Sequence, residues 1–75
     1  MSNMSVTMTS NLDGFSRVDI GDLRFAKKLQ RHGWTGEKAY RHVGEWCEFL
    51  NSQGEVIGKA KYDNTSCTSI KYIKG

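Results

Sequence analysis

The chain has 75 residues, of which 37% are hydrophobic and 25% are charged. This composition is too apolar for a disordered tail and too polar for a membrane protein, and no apolar run approaches the roughly 20 residues of a transmembrane helix. Eleven Lys and Arg against eight Asp and Glu give a net charge of +3. The length predicts one small domain with a limited core.

The N-terminal segment allows two interpretations. Met4, Val6 and Met8 alternate with small polar residues, which is the period of a half-buried strand, but a short polar terminus also frays readily. Residues 1–12 are therefore expected to be a flexible N-terminus or an edge strand, and residues 13–75 a single α+β domain. The chain does not begin with a basic stretch followed by an apolar one, so we expect a cytoplasmic protein with reduced cysteines.

A turn over residues 11–14 leads into a predicted helix over residues 20–32. Asp19 is a residue type that caps helix N-termini, and Gly33 suits the left-handed position after a helix. With about 100° between successive residues, one arc of the helix is apolar and holds Leu23, Phe25, Ala26 and Leu29. The opposite arc holds four cations, here named the basic stripe: Arg24, Lys27, Lys28 and Arg31.

A second, shorter helix is predicted from Thr35 to Gly44. Thr35 is a suitable N-cap, Ala39 and Val43 lie on one side of the helix, and Gly44 ends it. An apolar helical stripe also continues to Leu50, so a longer helix is the competing interpretation. We prefer to end the helix at Gly44, because the residues that follow form a consistent sheet.

The first predicted hairpin is centred on residues 51–54, which suit a type I turn followed by a left-handed glycine. This turn places Leu50 opposite Val56. The same register places Glu45 opposite Lys61, an opposite-charge pair that stabilises neighbouring strands.

The second predicted hairpin has a three-residue loop over residues 63–65, which places Ile70 opposite Gly58. One face of the resulting sheet is then predicted to pack against the helices: Trp46, Leu50, Val56, Ala60, Tyr62, Ile70 and Tyr72. The opposite face is predicted to hold Phe49, Ile57 and Ile73. The expected fold is a two-layer α+β domain, with two helices in the N-terminal half packed on a three-stranded antiparallel β-meander. The N-terminal segment supplies an extra strand if it is ordered.

The sequence offers little for catalysis or cofactor binding. Cys47, Cys67, His32 and His42 match no zinc-ligand spacing, and in the predicted sheet the two cysteines are about 9–10 Å apart, too far for a disulfide. Cys47 and His42 are close in sequence and form the one candidate pair for a nucleophilic cysteine with a histidine base. No catalytic or nucleotide-binding motif is present, and so short a chain is not expected to form a pocket for a small-molecule substrate. We therefore predict a non-enzymatic protein without a metal or cofactor.

The charge distribution allows either a binding surface or an ordinary solvated helix face that keeps the protein soluble. Residues 24–44 carry six basic side chains against one acidic one. The predicted contact residues combine the basic stripe with one residue just past the first helix and two of the second helix: Arg24, Lys27, Lys28, Arg31, Trp34, Lys38 and Arg41. The preferred partner is a nucleic acid, bound through phosphates, with Trp34 as a stacking group if its ring is exposed. The alternative for Trp34, which burial habits favour, is that its ring closes the core where the helix ends. The alternative partner is an acidic protein surface, bound by a stoichiometric inhibitor of the phage or mobile-element type that blocks a host nucleic-acid-handling complex.

Overall fold

One helix and an antiparallel sheet make up the fold in a computed structural model, which describes residues 11, 12 and 14–75. In chain order the elements are β1 (Asn11–Leu12), β2 (Phe15–Val18), α1 (Asp22–Arg31), β3 (Tyr40–Val43), β4 (Trp46–Leu50), β5 (Val56–Asp63) and β6 (Thr68–Lys74). The sheet order is β1-β2-β6-β5-β4-β3, and every neighbouring pair is antiparallel. The α+β class is therefore confirmed. The predicted two helices and three strands are replaced by one helix and five strands of four or more residues, with the two-residue β1 at one edge.

The strand β2 was not predicted. Its sequence Phe15-Ser16-Arg17-Val18 places an apolar residue at each end, so it lacks the simple alternation that indicates a strand. β2 forms a short hairpin with β1, whose residues were expected to lie in a turn, and it pairs along its other edge with β6. The strand considered for residues 4–8 lies outside the described residues.

The helix α1 begins two residues later and ends one residue earlier than predicted. Asp19 does not cap it: the N-cap is Gly21, and no side chain bonds to the cap. The C-terminal end is as predicted, because Gly33 adopts a left-handed conformation with φ of 101°. The Trp34 N–H donates to the Leu29 carbonyl at 3.0 Å, and the Gly33 N–H donates to the Gln30 carbonyl at 3.1 Å. These two bonds form a Schellman motif, which satisfies carbonyls at the helix end.

The predicted second helix is wrong. Residues 35–39 form a loop and Tyr40–Val43 form the edge strand β3, paired with β4. The loop is bound to the sheet at its start and its end, because Trp34 bridges to Asn51 and the Leu50 N–H donates to the Ala39 carbonyl at 2.7 Å. These long-range hydrogen bonds direct the following residues along β4, where helix propensity cannot compete with a strand ladder. The open choice between helix and strand for residues 45–50 is settled as strand over Trp46–Leu50, with Glu45 in the preceding turn.

The first hairpin turn is confirmed, but the register beyond it differs. Gly54 has φ of 83° and its N–H donates to the Asn51 carbonyl at 3.0 Å. Leu50 pairs with Val56 as predicted, but a β-bulge between Phe49 and Leu50 shifts the register. A shift of one residue exchanges the two faces of a strand.

The bulge moves β4 by one position along β5, so that Phe49 pairs with Gly58 and Cys47 pairs with Ala60. Phe49 therefore faces the helix, and the prediction that placed Trp46 there is wrong. The Glu45–Lys61 contact is still formed, with 3.5 Å between the Lys61 Nζ and the Glu45 Oε1.

The second hairpin has a longer loop than predicted. Residues 64–67 connect β5 to β6, with Cys67 at a positive φ of 57°. The Asp63 carboxylate accepts bonds from the Thr65 N–H at 3.0 Å and from the Ser66 hydroxyl at 2.8 Å. Ile73 lies opposite Gly58 where Ile70 was predicted. The register of β6 is therefore shifted by three positions. Because three is an odd number, β6 also presents the opposite face to the helix.

The core lies between α1 and one face of the sheet. Five buried side chains form it: Val18, Phe25, Leu29, Ile57 and Ile73. Half-buried apolar side chains pack around them: Ile20, Trp34, Phe49 and Ala60. Gly58 lies directly beneath the helix, where a Cβ atom would clash with the Leu29 Cδ2. Helix and sheet are therefore in close contact at this point.

The opposite face of the sheet has its own aromatic cluster. Phe15 and Tyr72 are buried there, and Trp46 packs against Tyr72 with ring centroids 5.8 Å apart. The Lys59 ammonium lies 5.3 Å from the centre of the Phe15 ring. In the described residues, no helix is long and apolar enough to cross a membrane.

Candidate functional site

The basic stripe forms one continuous surface on the helix. Its four cations line a shallow depression together with Ile20: Arg24, Lys27, Lys28 and Arg31. Arg24, Lys27 and Arg31 are exposed and Lys28 is half-buried. The helix supplies this arrangement by itself, because residues three and four positions apart lie on the same face.

The cations of the stripe differ from most other basic residues of the chain in their acidic neighbours. Within the part of the chain that the structure describes, no acidic side chain forms an ion pair with any of the four. Four of the other basic residues do have acidic partners, namely Arg41, Lys59, Lys61 and Lys71. The stripe therefore presents positive charge that is not neutralised by those described acids.

The remaining three predicted contact residues are not part of this surface. Lys38 is exposed in the loop before β3 and lines a separate depression formed by residues 35–39. Arg41 lies on β3 rather than on a helix, and its Nε donates to the Glu48 Oε1 at 2.9 Å. The structure thus groups four of the seven predicted residues and separates Lys38 and Arg41 from them.

Trp34 is half-buried beside the core, not exposed next to the stripe. Its indole Nε1–H donates to the Ala39 carbonyl at 3.1 Å, and its ring packs edge-on against Phe49 with centroids 5.8 Å apart. The side chain has a structural role at the end of the helix, which leaves the stripe without the stacking group that the sequence suggested.

A second candidate site lies between α1 and the sheet. It is a cleft of about 400 Å³, here named the helix–sheet cleft, although the chain was expected to be too short for a pocket. Its apolar lining comes from both layers: Phe25, Ala26, Leu29, Trp34, Phe49 and Ala60. Its polar lining includes Asp22, His42, Cys47, Tyr62, Ser69 and Lys71.

Lys71 is the buried charge of the cleft. Only 8% of this residue is exposed, and its Nζ lies 2.7 Å from the Asp22 Oδ1. The hydrogen bond and the positive charge of Lys71 lower the pKa of the Asp22 carboxyl. The sequence gives no signal for this burial, because a lysine between Ile70 and Tyr72 is the ordinary pattern of a strand whose polar side chains face solvent.

Cys47 and His42 face each other across β3 and β4, and both line the cleft. Desolvation by burial raises the pKa of the Cys47 thiol, which disfavours the thiolate that a nucleophilic cysteine needs. Cys47 and Cys67 are both free. Among the residues described, no group of three or more His, Cys, Asp or Glu side chains is placed to hold a metal ion.

Comparison with known proteins gives no match: no family model, no curated protein and no solved structure is similar to this chain.

Proposed function

We propose that this protein binds nucleic acid through the basic stripe of α1, by contacts to phosphate groups. The observation that carries the proposal is that all four stripe cations lack an acidic partner among the described residues. Unpaired cations release the counterions of a nucleic acid on binding, and this release is the main source of affinity for a phosphate backbone.

The geometry of the stripe suits a backbone rather than a base edge. Residues 24 and 31 are separated by seven positions, or about 10 Å along a helix, a length over which a duplex presents several phosphates. The side chains that line the surface are four cations and Ile20, without an aromatic ring for stacking. We therefore expect binding with little sequence preference.

The test is a titration of labelled double-stranded and single-stranded DNA and RNA with the purified protein, followed by fluorescence anisotropy at about 50 and 200 mM salt. Lys27→Gln and Lys28→Gln should each weaken binding at low salt. Each substitution should also reduce the slope of log K against log salt concentration by about 0.9 for duplex DNA.

The matched control is Arg41→Gln, which removes the same charge from a cation that already has a carboxylate partner. If the proposal holds, this variant keeps the affinity and the salt slope of the wild type. Equal weakening by Arg41→Gln and by the stripe variants would show that net charge alone is responsible. Absence of binding at low salt would eliminate the proposal.

A second candidate function is stoichiometric inhibition of an acidic protein in a nucleic-acid-handling complex. It is favoured by Leu23, which was expected in the core but is 71% exposed on the outer surface of α1, one turn before Lys27. An exposed apolar side chain beside cations suits a protein interface. Leu23→Ser should leave phosphate binding unchanged, so its effect on capture of a protein partner separates the two functions.

A further inference from the structure

We propose that the helix–sheet cleft binds a small organic anion, namely a carboxylate carried on an aromatic or other compact apolar body. This inference is independent of the proposed nucleic-acid binding, because no residue of the basic stripe lines the cleft.

The size and the lining of the cleft suit the apolar body. About 400 Å³ is within the range of about 300–1,000 Å³ that small-molecule sites occupy. Leu29 and Phe25 form part of its inner wall and are buried, and Trp34 and Phe49 add two aromatic rings that meet edge to face. A flat ring placed among these side chains would bury apolar surface on both its sides.

The buried ammonium of Lys71 supplies the recognition of an anion. Its side chain is nine-tenths buried, with 10% exposed. An ammonium has three donors, and among the described residues Lys71 has one partner, the Asp22 carboxylate. Since a buried charge is costly unless its donors are satisfied, Lys71 retains donor capacity for a second negatively charged group.

The Asp22 carboxylate is suited to exchange with a ligand. Its side chain is 92% exposed, so it loses little hydration energy when it binds Lys71 and regains little when it leaves. A ligand carboxylate in the cleft would form the same charge-assisted bond and would bury apolar surface as well. Asp22 therefore acts as a weak internal competitor for Lys71.

Two neutral donors extend the anion site. Ser69 precedes Lys71 by two positions on β6, so both side chains lie on the same face of the strand. Tyr62 is the cross-strand partner of Ser69, and both residues line the cleft. The polar lining of the cleft thus includes an ammonium and two residues that carry hydroxyl groups on the same face of the sheet, whereas Trp34 and Phe49 contribute aromatic lining.

The first experiment compares a charged probe with its neutral counterpart. Naphthalene-2-carboxylate and naphthalene-2-carboxamide have nearly the same shape, and binding of each is followed by the fluorescence of Trp34. The titration uses the Trp46→Phe variant, because Trp46 lies on the opposite face of the sheet and would add an unresponsive signal. The carboxylate should bind at least about tenfold more tightly, as expected for a charge-assisted hydrogen bond. Equal binding of the two probes, or binding of neither, would overturn the proposal.

The second experiment changes the competitor and the recognition group on the same background. Asp22→Asn should tighten binding of the carboxylate several-fold, because it removes the negative charge that competes for Lys71. Lys71→Met replaces the charged side chain with an uncharged one of similar length and should weaken carboxylate binding about tenfold. Lys74→Met is the matched control and should change nothing, because Lys74 is exposed and is not among the residues that line the cleft.

The two variants keep the proposal falsifiable even if Lys71→Met fails to fold. Asp22 is exposed, so Asp22→Asn is expected to fold, and weaker or unchanged carboxylate binding in that variant would overturn the proposal. If a second copy of the chain occupied the cleft, it would compete with the probe. The apparent affinity for the carboxylate probe would then fall as the protein concentration rises. That result would also contradict a small-anion site.

Discussion

Four cations of the sheet have acidic partners, whereas the four cations of the helix have none among the described residues, although each counts equally toward the net charge. The basic stripe of α1 has no acidic partner among the described residues, whereas Arg41 and Lys59 both lie within 4.0 Å of Glu48, and Lys71 holds Asp22. Arg41 and Lys59 are therefore part of an ion-pair network within the sheet, and the stripe cations have no such network among the described residues. The positions of acidic neighbours, rather than the net charge, therefore distinguish basic side chains that have a carboxylate partner from the stripe cations, which have none among the described residues.

The largest expected effect on the free energy of unfolding comes from shortening a buried side chain of α1. Leu29 is 1% exposed, and Leu29→Ala should lower the free energy of unfolding by about 2–5 kcal/mol, because it leaves a cavity above Gly58. Leu23→Ala is the control on the same helix and should change it by less than about 0.5 kcal/mol. Urea unfolding measures both values. Similar losses in the two variants would contradict the described packing of α1.

The next largest expected effect on stability distinguishes the carboxylate that binds Arg41 and Lys59 from an exposed carboxylate in a loop. Glu48→Gln leaves Lys59 and Arg41 without their carboxylate, and it should lower the free energy of unfolding by about 1 kcal/mol, because the Glu48 side chain is only 13% exposed. Glu37→Gln removes the same charge from an exposed loop residue and should have almost no effect. Equal stability of the two variants would place Glu48 among the ordinary surface charges.

A smaller effect concerns the Asp22–Lys71 pair and depends on pH. The pKa of Asp22 is lowered in the folded state, so its contribution is complete above the pKa of the unfolded carboxyl, near 4. The contribution is lost as the pH falls through the lower pKa of the folded state. Wild type should exceed Asp22→Asn in stability at pH 7 by less than about 1 kcal/mol, because Asp22 is exposed. Thermal unfolding from pH 7 down to pH 2 should show this difference disappear, and a difference that grows toward low pH would reverse the assignment.

The smallest expected effect is a gain in stability rather than a loss. The stripe places like charges three and four positions apart, and each such pair destabilises a helix by about 0.2–0.5 kcal/mol. Lys27→Gln removes the repulsion with Arg24 and Arg31, so it should raise the stability at low salt by a few tenths of a kcal/mol. The gain should shrink as salt screens the charges. A loss of stability would mean that Lys27 has a stabilising partner.

The helix and the first hairpin turn, over residues 51–54, were predictable from the sequence. The left-handed Gly33 and the apolar pair Phe25 and Leu29 identify α1, and the Asn51–Gly54 hydrogen bond forms as the turn chemistry requires. These features depend on residues within a few positions of each other. The basic stripe belongs to the same class, because a helix places its side chains by period alone.

The faces of the sheet and the helix–sheet cleft were decided by the tertiary structure. A bulge between Phe49 and Leu50 and a turn longer than predicted after Asp63 each displace a strand by an odd number of residues. Since side chains alternate with a period of two, each displacement exchanges the strand face that contacts the helix for the opposite face of the sheet. The same long-range pairing turned residues 40–43 into an edge strand and directed Lys71 toward the helix. The sequence by itself thus determined α1, its basic stripe and the first hairpin turn, because these depend on residues close to each other in the chain. The packing of the strands against one another and against α1 determined which side chains share a site.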